Sequence, residues 1–428
     1  MKKDINPWAW VSTLYYAEGL PYVIVMTVSV IMYKRLNISN TDIALYTSWL
    51  YLPWVIKPIW SPFVDIIKTK RFWIITMQVI IGTALACVAL TIPADNFFRY
   101  TLAFFWLLAF SSATHDIAID GFYMIGLSKH EQTLFVGIRS TFYRIAMITG
   151  QGLLVILAGY FEELFPGNIK HAWTITFLII AAVFIVLFIY HRIILPKPIN
   201  DKPASVNSRN IINDFVKTFS LFFKKKQIGV ILGFLLLYRL GESQLVKLAS
   251  PFLLDSADAG GLGLSTSEVG FVYGTVGLIS LSIGGILGGY VASKKGLKYW
   301  IWWMLVAINL PNSVYIYLSS VLPDSFLIVN ICVAIEQFGY GFGFTAYMLY
   351  MIYISDGDHK TSHFAIATGF MALGMMLPGM VSGWIQEQIG YQSFFMYVLL
   401  TTIPAFIITK FIDIDPKFGI KKVSNNGE

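Results

Sequence analysis

Apolar residues fall along this chain in runs of about twenty or more, parted by short polar breaks marked with proline, glycine or lysine. A run of that length crosses a hydrocarbon layer of about 30 Å as a single helix. The pattern predicts twelve such spans. The first six run Trp8–Tyr33, Asp42–Phe63, Phe72–Ile92, Phe97–Leu127, Leu134–Leu164 and Ala172–Ile194. The second six run Ile228–Leu254, Ser267–Ala292, Tyr299–Val321, Ser325–Ser355, Phe364–Gln388 and Ser393–Ile412. None shows the period-two alternation of lipid-facing strands, which excludes a transmembrane barrel. The longest polar stretch separates spans six and seven. It holds Pro196, Pro198 and Pro203, an amphipathic piece from Ile211 to Phe223, and Lys224-Lys225-Lys226. The expected architecture is therefore an all-α membrane protein: a six-helix bundle over residues 1–194, a linker over 195–227, and a second six-helix bundle over 228–428 with a short tail.

Composition agrees with the pattern. Hydrophobic residues make up 56% of the chain and charged residues 13%, about half the charged share of an ordinary soluble domain. The net charge of +7 is no nucleic-acid signal, because the basic residues cluster in loops between apolar runs. With the N-terminus placed in the cytoplasm, 22 of the 31 basic residues fall on the cytoplasmic side. Four (Lys34, Arg35, Arg99 and Lys170) fall outside, and five lie within spans. This bias predicts cytoplasmic termini and a cytoplasmic linker. Met1-Lys2-Lys3-Asp4 leads into an apolar run without a small-residue cleavage site, so the first segment is expected to stay as a helix. Cys87 and Cys332 both fall inside spans and read as buried thiols rather than a disulfide.

Chemistry enters with the charges inside the spans. Asp116 and Asp120 in span four are four residues apart, one turn along one helix face. Carboxyls at bilayer depth are costly without partners or water, which marks them as candidates for function. Glu18 in span one, Arg239, Glu242 and Lys247 in span seven and Glu336 in span ten complete the set, with His115 beside Asp116. A desolvated carboxyl titrates closer to neutrality than one in water, which gives proton coupling a physical basis. Each residue also has a structural reading. Glu242, three residues after Arg239, has the spacing of an ion pair along one helix, while Lys247 has no acid at helical spacing. Arg139 and Arg144, near the start of span five, can snorkel or pair with Asp116 or Asp120. His115 reads as a hydrogen-bonded packing residue or a proton relay. Lys57, between Pro53 and Pro58, can satisfy a carbonyl that the prolines free. Tyr15, Tyr16, Tyr123, Tyr143 and Tyr238 are candidate aromatics for stacking on sugars, or ordinary packing residues.

Two six-helix halves joined by a long basic loop resemble the major facilitator superfamily. The loop after span eight, Gly288 to Lys298, resembles that superfamily's loop motif, with Ser293 where Asp is usual and with Lys294 and Lys295 as the basic pair. The loop after span two keeps the acid as Asp65, followed by Lys68, Lys70 and Arg71, but lacks the glycines. The resemblance implies a charge latch at the cytoplasmic face built on Asp65, Lys68, Lys294 and Lys295. It also implies that spans one, four, seven and ten line a central cavity, which would give every cavity helix a carboxyl.

Narrower motifs resemble the AmpG-type permeases, bacterial muropeptide importers within that superfamily. They are Lys57-Pro58-Ile59-Trp60-Ser61-Pro62-Phe63-Val64-Asp65 at the end of span two, Ser112-Ala113-Thr114-His115-Asp116-Ile117-Ala118-Ile119-Asp120 in span four, and Tyr143-Arg144 in span five. Tyr238-Arg239-Leu240-Gly241-Glu242 in span seven and Glu336 with Gly341 and Gly343 in span ten continue the likeness. His115 stands where the family has Gln, and Arg239 and Glu242 stand where it has Lys and Asp. The resemblance implies proton-driven import of N-acetylglucosaminyl-anhydro-N-acetylmuramyl peptides across the bacterial inner membrane. No enzymatic step, metal or cofactor is implied, and the proton gradient would be the energy source. Asp116, Asp120, Glu18, Glu242 and Glu336 are then expected to handle protons. Arg239, Lys247, Arg144, Tyr16, Tyr123 and Tyr238 are expected to meet an anionic sugar-peptide. The expected partners are this substrate and the lipid bilayer, with no nucleic acid and the protein a monomer.

Two rival functions stay open from sequence. Siderophore import would ask for a wider, more aromatic cavity. An intramembrane metal or acid–base enzyme would use His115, Asp116 and Asp120, but a metal site wants further His or Cys at ligand spacing, and the six histidines are scattered.

Overall fold

The computed structural model of the chain describes residues 6–203, 208–357 and 360–420, with the side chains of a few further positions, Asp65 among them, outside the description. Among the described residues every regular element is a helix. Among the described residues ten stretches are long and apolar enough to cross a membrane as they stand. One of these, Ser362–Thr409, contains two spans. The helix from Lys360 to Leu400 is broken at Gly390, whose φ of 75° is a conformation open to glycine and strained for other residues. This break falls in the gap expected between spans eleven and twelve. The remaining span, the second, consists of two helices, Asn40–Trp49 and Leu52–Ile67. Twelve spans result.

Several spans are interrupted where the apolar pattern alone predicts continuous helix. Span two breaks just before Pro53, and its second helix carries Pro58 and Pro62 as well. Proline removes an intrahelical donor and clashes with the preceding turn, so such a helix bends. Span seven is split into Ile228–Leu237 and Leu240–Leu254, with Arg239 as the N-cap of the second piece. Spans one, five and eight each hold a wide π-turn, at Ile24–Val28, Ile148–Leu154 and Val272–Gly277. Other ends obey local rules. Ser128 and Ser265 each form a capping box with the glutamate three residues on, Glu131 and Glu268. The Ser128 hydroxyl and backbone N–H hold the Glu131 carboxyl below the usual carboxylate range. Asp201, in the linker, accepts from the backbone N–H groups of Lys70 (2.7 Å) and Arg71 (3.0 Å), so it closes the positive end of span three.

The chain divides into two compact units, residues 1–215 with 264–275, and residues 216–263 with 276–428. In the first unit, Trp10, Leu14, Tyr15, Ile119 and Phe122 are core residues, joining spans one and four. The opening segment of span eight also packs in this unit. A Cβ on Gly274 would lie 2.2 Å from the backbone nitrogen of Gly152 in span five, so the two π-turns touch backbone to backbone and only glycine fits. In the second unit the core is aromatic, with the Phe234 ring in contact with those of Tyr238, Tyr347 and Tyr350.

Candidate functional site

In the first unit, spans one, two, four and five bring five charged side chains together. Lys57, held on the proline-bent helix of span two, donates to Asp116 of span four and forms an ion pair with it. One turn further along span four, Asp120 takes two partners. Tyr15 of span one donates its hydroxyl to Oδ1 at 3.1 Å, and Arg139 of span five stands 3.5 Å from the same oxygen. The Arg139 guanidinium lies over the rings of Tyr15 (4.8 Å) and Tyr123 (5.2 Å), which meet edge to face. Planar, weakly hydrated guanidinium suits that position better than an ammonium would. Glu18 of span one lies within electrostatic range of Asp116, Asp120 and Lys57, and its Oε2 is buried with no hydrogen-bond partner among the described residues.

Two properties set this cluster apart. It is open, with side-chain exposures of 40% for Asp120, 35% for Arg139 and 27% for Lys57. It is also unbalanced, with three carboxyls (Glu18, Asp116 and Asp120) against two cations (Lys57 and Arg139). These groups balance in charge when one carboxyl carries a proton.

The second unit holds the other expected residues in a different state. Arg239 donates from Nε and Nη2 to the two oxygens of Glu242, each at 2.8 Å, and a further bond of 2.8 Å runs from Nη2 to the Tyr340 hydroxyl. The rings of Tyr340 and Phe344 cover the guanidinium at 5.4 and 4.8 Å. Arg239 and Glu242 are buried. The fork of Arg239 thus holds Glu242, the ion pair that their three-residue spacing allows. The Tyr238 hydroxyl donates to the Gly343 carbonyl at 3.0 Å and its ring is fully buried in the aromatic core. Glu336 is buried and accepts from Gln337 at 2.9 Å. Lys247 is buried as well.

Three expected residues have other surroundings. Tyr123 donates to the Gln132 carbonyl while its face carries Arg139. Arg144 is half-buried, and among the described residues its side chain makes no hydrogen bond or ion pair, so the arginine that meets Asp120 is Arg139. Tyr16 is half-buried. Of the loop residues, Lys68, Lys294 and Lys295 are exposed and lie over the rings of Phe72, Tyr290 and Tyr299. The Asp65 side chain lies outside the described residues.

Sequence reading missed two polar groupings. Gln78 bridges His115 (3.1 Å) and His191 (2.9 Å), and His191 reaches the Thr13 hydroxyl at 2.9 Å, so a buried polar chain links spans one, three, four and six. At the far end of the first unit, Glu162 collects Arg35 (2.9 Å), Trp173 Nε1 (2.8 Å) and Thr266 Oγ1 (2.7 Å). The partners are far apart in sequence, so no local spacing signals either group. Among the described residues no three His, Cys, Asp or Glu side chains are placed to hold a metal ion.

Residues 13–362 match the profile of the Major Facilitator Superfamily. The chain belongs to that superfamily. It is 26% identical over 411 residues to a Rickettsia conorii protein named as transporter AmpG 4, covering 92% of this chain and 94% of that one. It is 24% identical over 402 residues to the anhydromuropeptide permease of Escherichia coli K12, covering 92% of this chain and 77% of the permease. Its structure resembles that of the nucleoside transporter NupG, with a TM-score of 0.69 at 16% identity over 96% of this chain and all of that one. The protein is thus a multi-pass membrane transporter of this superfamily, and its AmpG-type resemblance extends over about nine-tenths of the chain.

Proposed function

We propose that this transporter is a proton-coupled importer of anionic anhydromuropeptides or closely related sugar-peptides across the bacterial inner membrane, with both termini and the linker in the cytoplasm. The observation that carries the reading is the open, charge-unbalanced cluster of Glu18, Lys57, Asp116, Asp120 and Arg139. A carboxylated substrate brings negative charge to a site that already has one carboxyl in excess. Loading a proton on Asp116, Asp120 or Glu18 offsets that charge and frees a cation to meet the substrate. Arg139 is the cation best placed for this. Its distance to Asp120 is longer than a tight ion pair, it is partly exposed, and its two tyrosines hold the guanidinium plane for a bidentate carboxylate. The names of the relatives supply the sugar-peptide class.

The test is uptake of labelled N-acetylglucosaminyl-anhydro-N-acetylmuramyl tripeptide into proteoliposomes, with and without an inward-acid gradient. The reading expects accumulation that requires the gradient and collapses with a protonophore. Uptake indifferent to the gradient would refute the coupling. No uptake by protein that is monodisperse and thermally stable would refute the substrate class, and siderophores would then be assayed.

A further inference from the structure

One helical turn beyond the charged site, the same spans place aromatic rings. Tyr22 follows Glu18 by four residues on span one, and Trp54 precedes Lys57 by three on span two. Each aromatic therefore shares a helix face with its charged neighbour. The two rings meet edge to face, with centroids 5.2 Å apart and planes at 89°. Tyr143 of span five, four residues after Arg139, lies within electrostatic range of Tyr22 and Glu18. A Cβ on Gly19 would stand 3.2 Å from the Tyr143 ring, so only glycine lets span one approach it so closely. Tyr22, Trp54 and Tyr143 are all half-buried.

Contacts between the spans set these groups in successive layers. Asp120 meets Tyr15 and Arg139, then Asp116 meets Lys57 with Glu18 in range, and then Trp54 meets Tyr22. Tyr15 and Tyr22 are seven residues apart on one helix, a rise of about 10 Å. The first two layers hold the five charges of the cluster, and the third is a pair of rings.

Rings beside charges suit a ligand of mixed character. A pyranose carries hydroxyls at its rim and C–H bonds on its face, and those weakly positive hydrogens match the negative face of an aromatic ring. Trp54 offers the larger ring of the pair. Its indole N–H makes no hydrogen bond among the described residues, which leaves a donor for a sugar hydroxyl or acetamido oxygen. A carboxylate held at Arg139 would lie about 10 Å from this pair, the length of about three extended residues. That is the scale of a sugar joined to a short peptide.

We propose that Trp54, braced by Tyr22, stacks on a pyranose ring of the substrate and sets the preference for sugar-peptides over plain peptides. The proposal rests on the sugar-peptide reading above and names two residues, Trp54 and Tyr22, that sequence did not single out.

The experiment titrates the detergent-purified full chain with N-acetylglucosaminyl-anhydro-N-acetylmuramyl tripeptide and, separately, with the same tripeptide lacking its sugars. The native chain should bind the sugar-peptide more tightly. Trp54→Leu should weaken that binding about tenfold, the worth of one aromatic contact, and leave the tripeptide affinity as it was. Trp54→Phe keeps a ring against Tyr22 and should lose about threefold on the sugar-peptide alone; it decides the matter if the leucine variant fails to fold. Equal loss for both ligands would make Trp54 a packing residue and overturn the proposal. So would an unchanged sugar-peptide affinity, or a native chain that binds the two ligands equally. A folded native chain that binds neither refutes the substrate class itself, and this proposal with it.

Discussion

The two units each hold an arginine within reach of a carboxylate, and the two pairs are built for opposite ends. Arg239 and Glu242 are three residues apart on one helix, joined at 2.8 Å through both oxygens, capped by Tyr340 and buried. Arg139 and Asp120 come from different spans, stand 3.5 Å apart and are each more than a third exposed. The first pair is bidentate, buried and balanced in charge. The second belongs to a group of three carboxyls and two cations, and it keeps a guanidinium face and an acid open to whatever enters. A charged residue inside a membrane is therefore not a functional site by identity alone. Its saturation by neighbours separates scaffold from working group.

The comparison can be broken most forcefully at the saturated pair. Arg239→Ala leaves a buried carboxylate without its partner, which costs about 3–5 kcal/mol and should show as a large fall in the unfolding temperature of the purified protein. Replacing both members together, Arg239→Met with Glu242→Leu, should recover most of that loss, since a well-packed apolar pair is often neutral relative to a buried ion pair. If the double variant is as unstable as the single one, the pair is not self-contained.

At the open cluster the effects should fall on transport. One unit of pH gradient can drive about tenfold accumulation per proton carried. Asp116→Asn should reduce the measured accumulation ratio to unity while leaving the unfolding temperature near that of the native chain. Arg139→Gln should raise KM for a carboxylated sugar-peptide by roughly ten- to a hundredfold, the worth of a charge-assisted hydrogen bond, with little change for an amidated analogue. Equal losses for the two substrates would show that Arg139 positions Asp120 and does not bind the ligand. The smallest effect belongs to the Glu162 cluster, where Thr266→Ala removes one bond to a carboxylate and should cost about 1–2 kcal/mol in thermal stability.

The apolar periodicity carried the architecture well, because membrane helices must satisfy their own backbone and so announce themselves by length. Twelve spans and the linker helix, Ser208–Phe223, were legible. The interruptions were legible only in part. Pro53, Pro58 and Pro62 foretell a bent second span, but nothing in Tyr238-Arg239 foretells the break in span seven, and the π-turns depend on packing between distant glycines. In the site, the one-turn spacing of Asp116 and Asp120 was enough to single them out. Arg139 and Arg144 were both open as partners from sequence, but which of them meets Asp120, and that Lys57 meets Asp116, was not readable, since a helix wheel says nothing about which neighbour it faces. From sequence Arg239, and not Arg139, reads as a substrate contact, although its spacing to Glu242 already held the ion pair that the structure shows.

The most direct test sets the two groups side by side in one assay: gradient-driven uptake of labelled anhydromuropeptide into proteoliposomes for the native chain, for Asp116→Asn, and for the Arg239→Met, Glu242→Leu double variant. The account predicts accumulation by the native chain and by the double variant, and none by Asp116→Asn. Accumulation by a folded Asp116→Asn protein together with none by a folded double variant would contradict it, placing the working charges in the second unit.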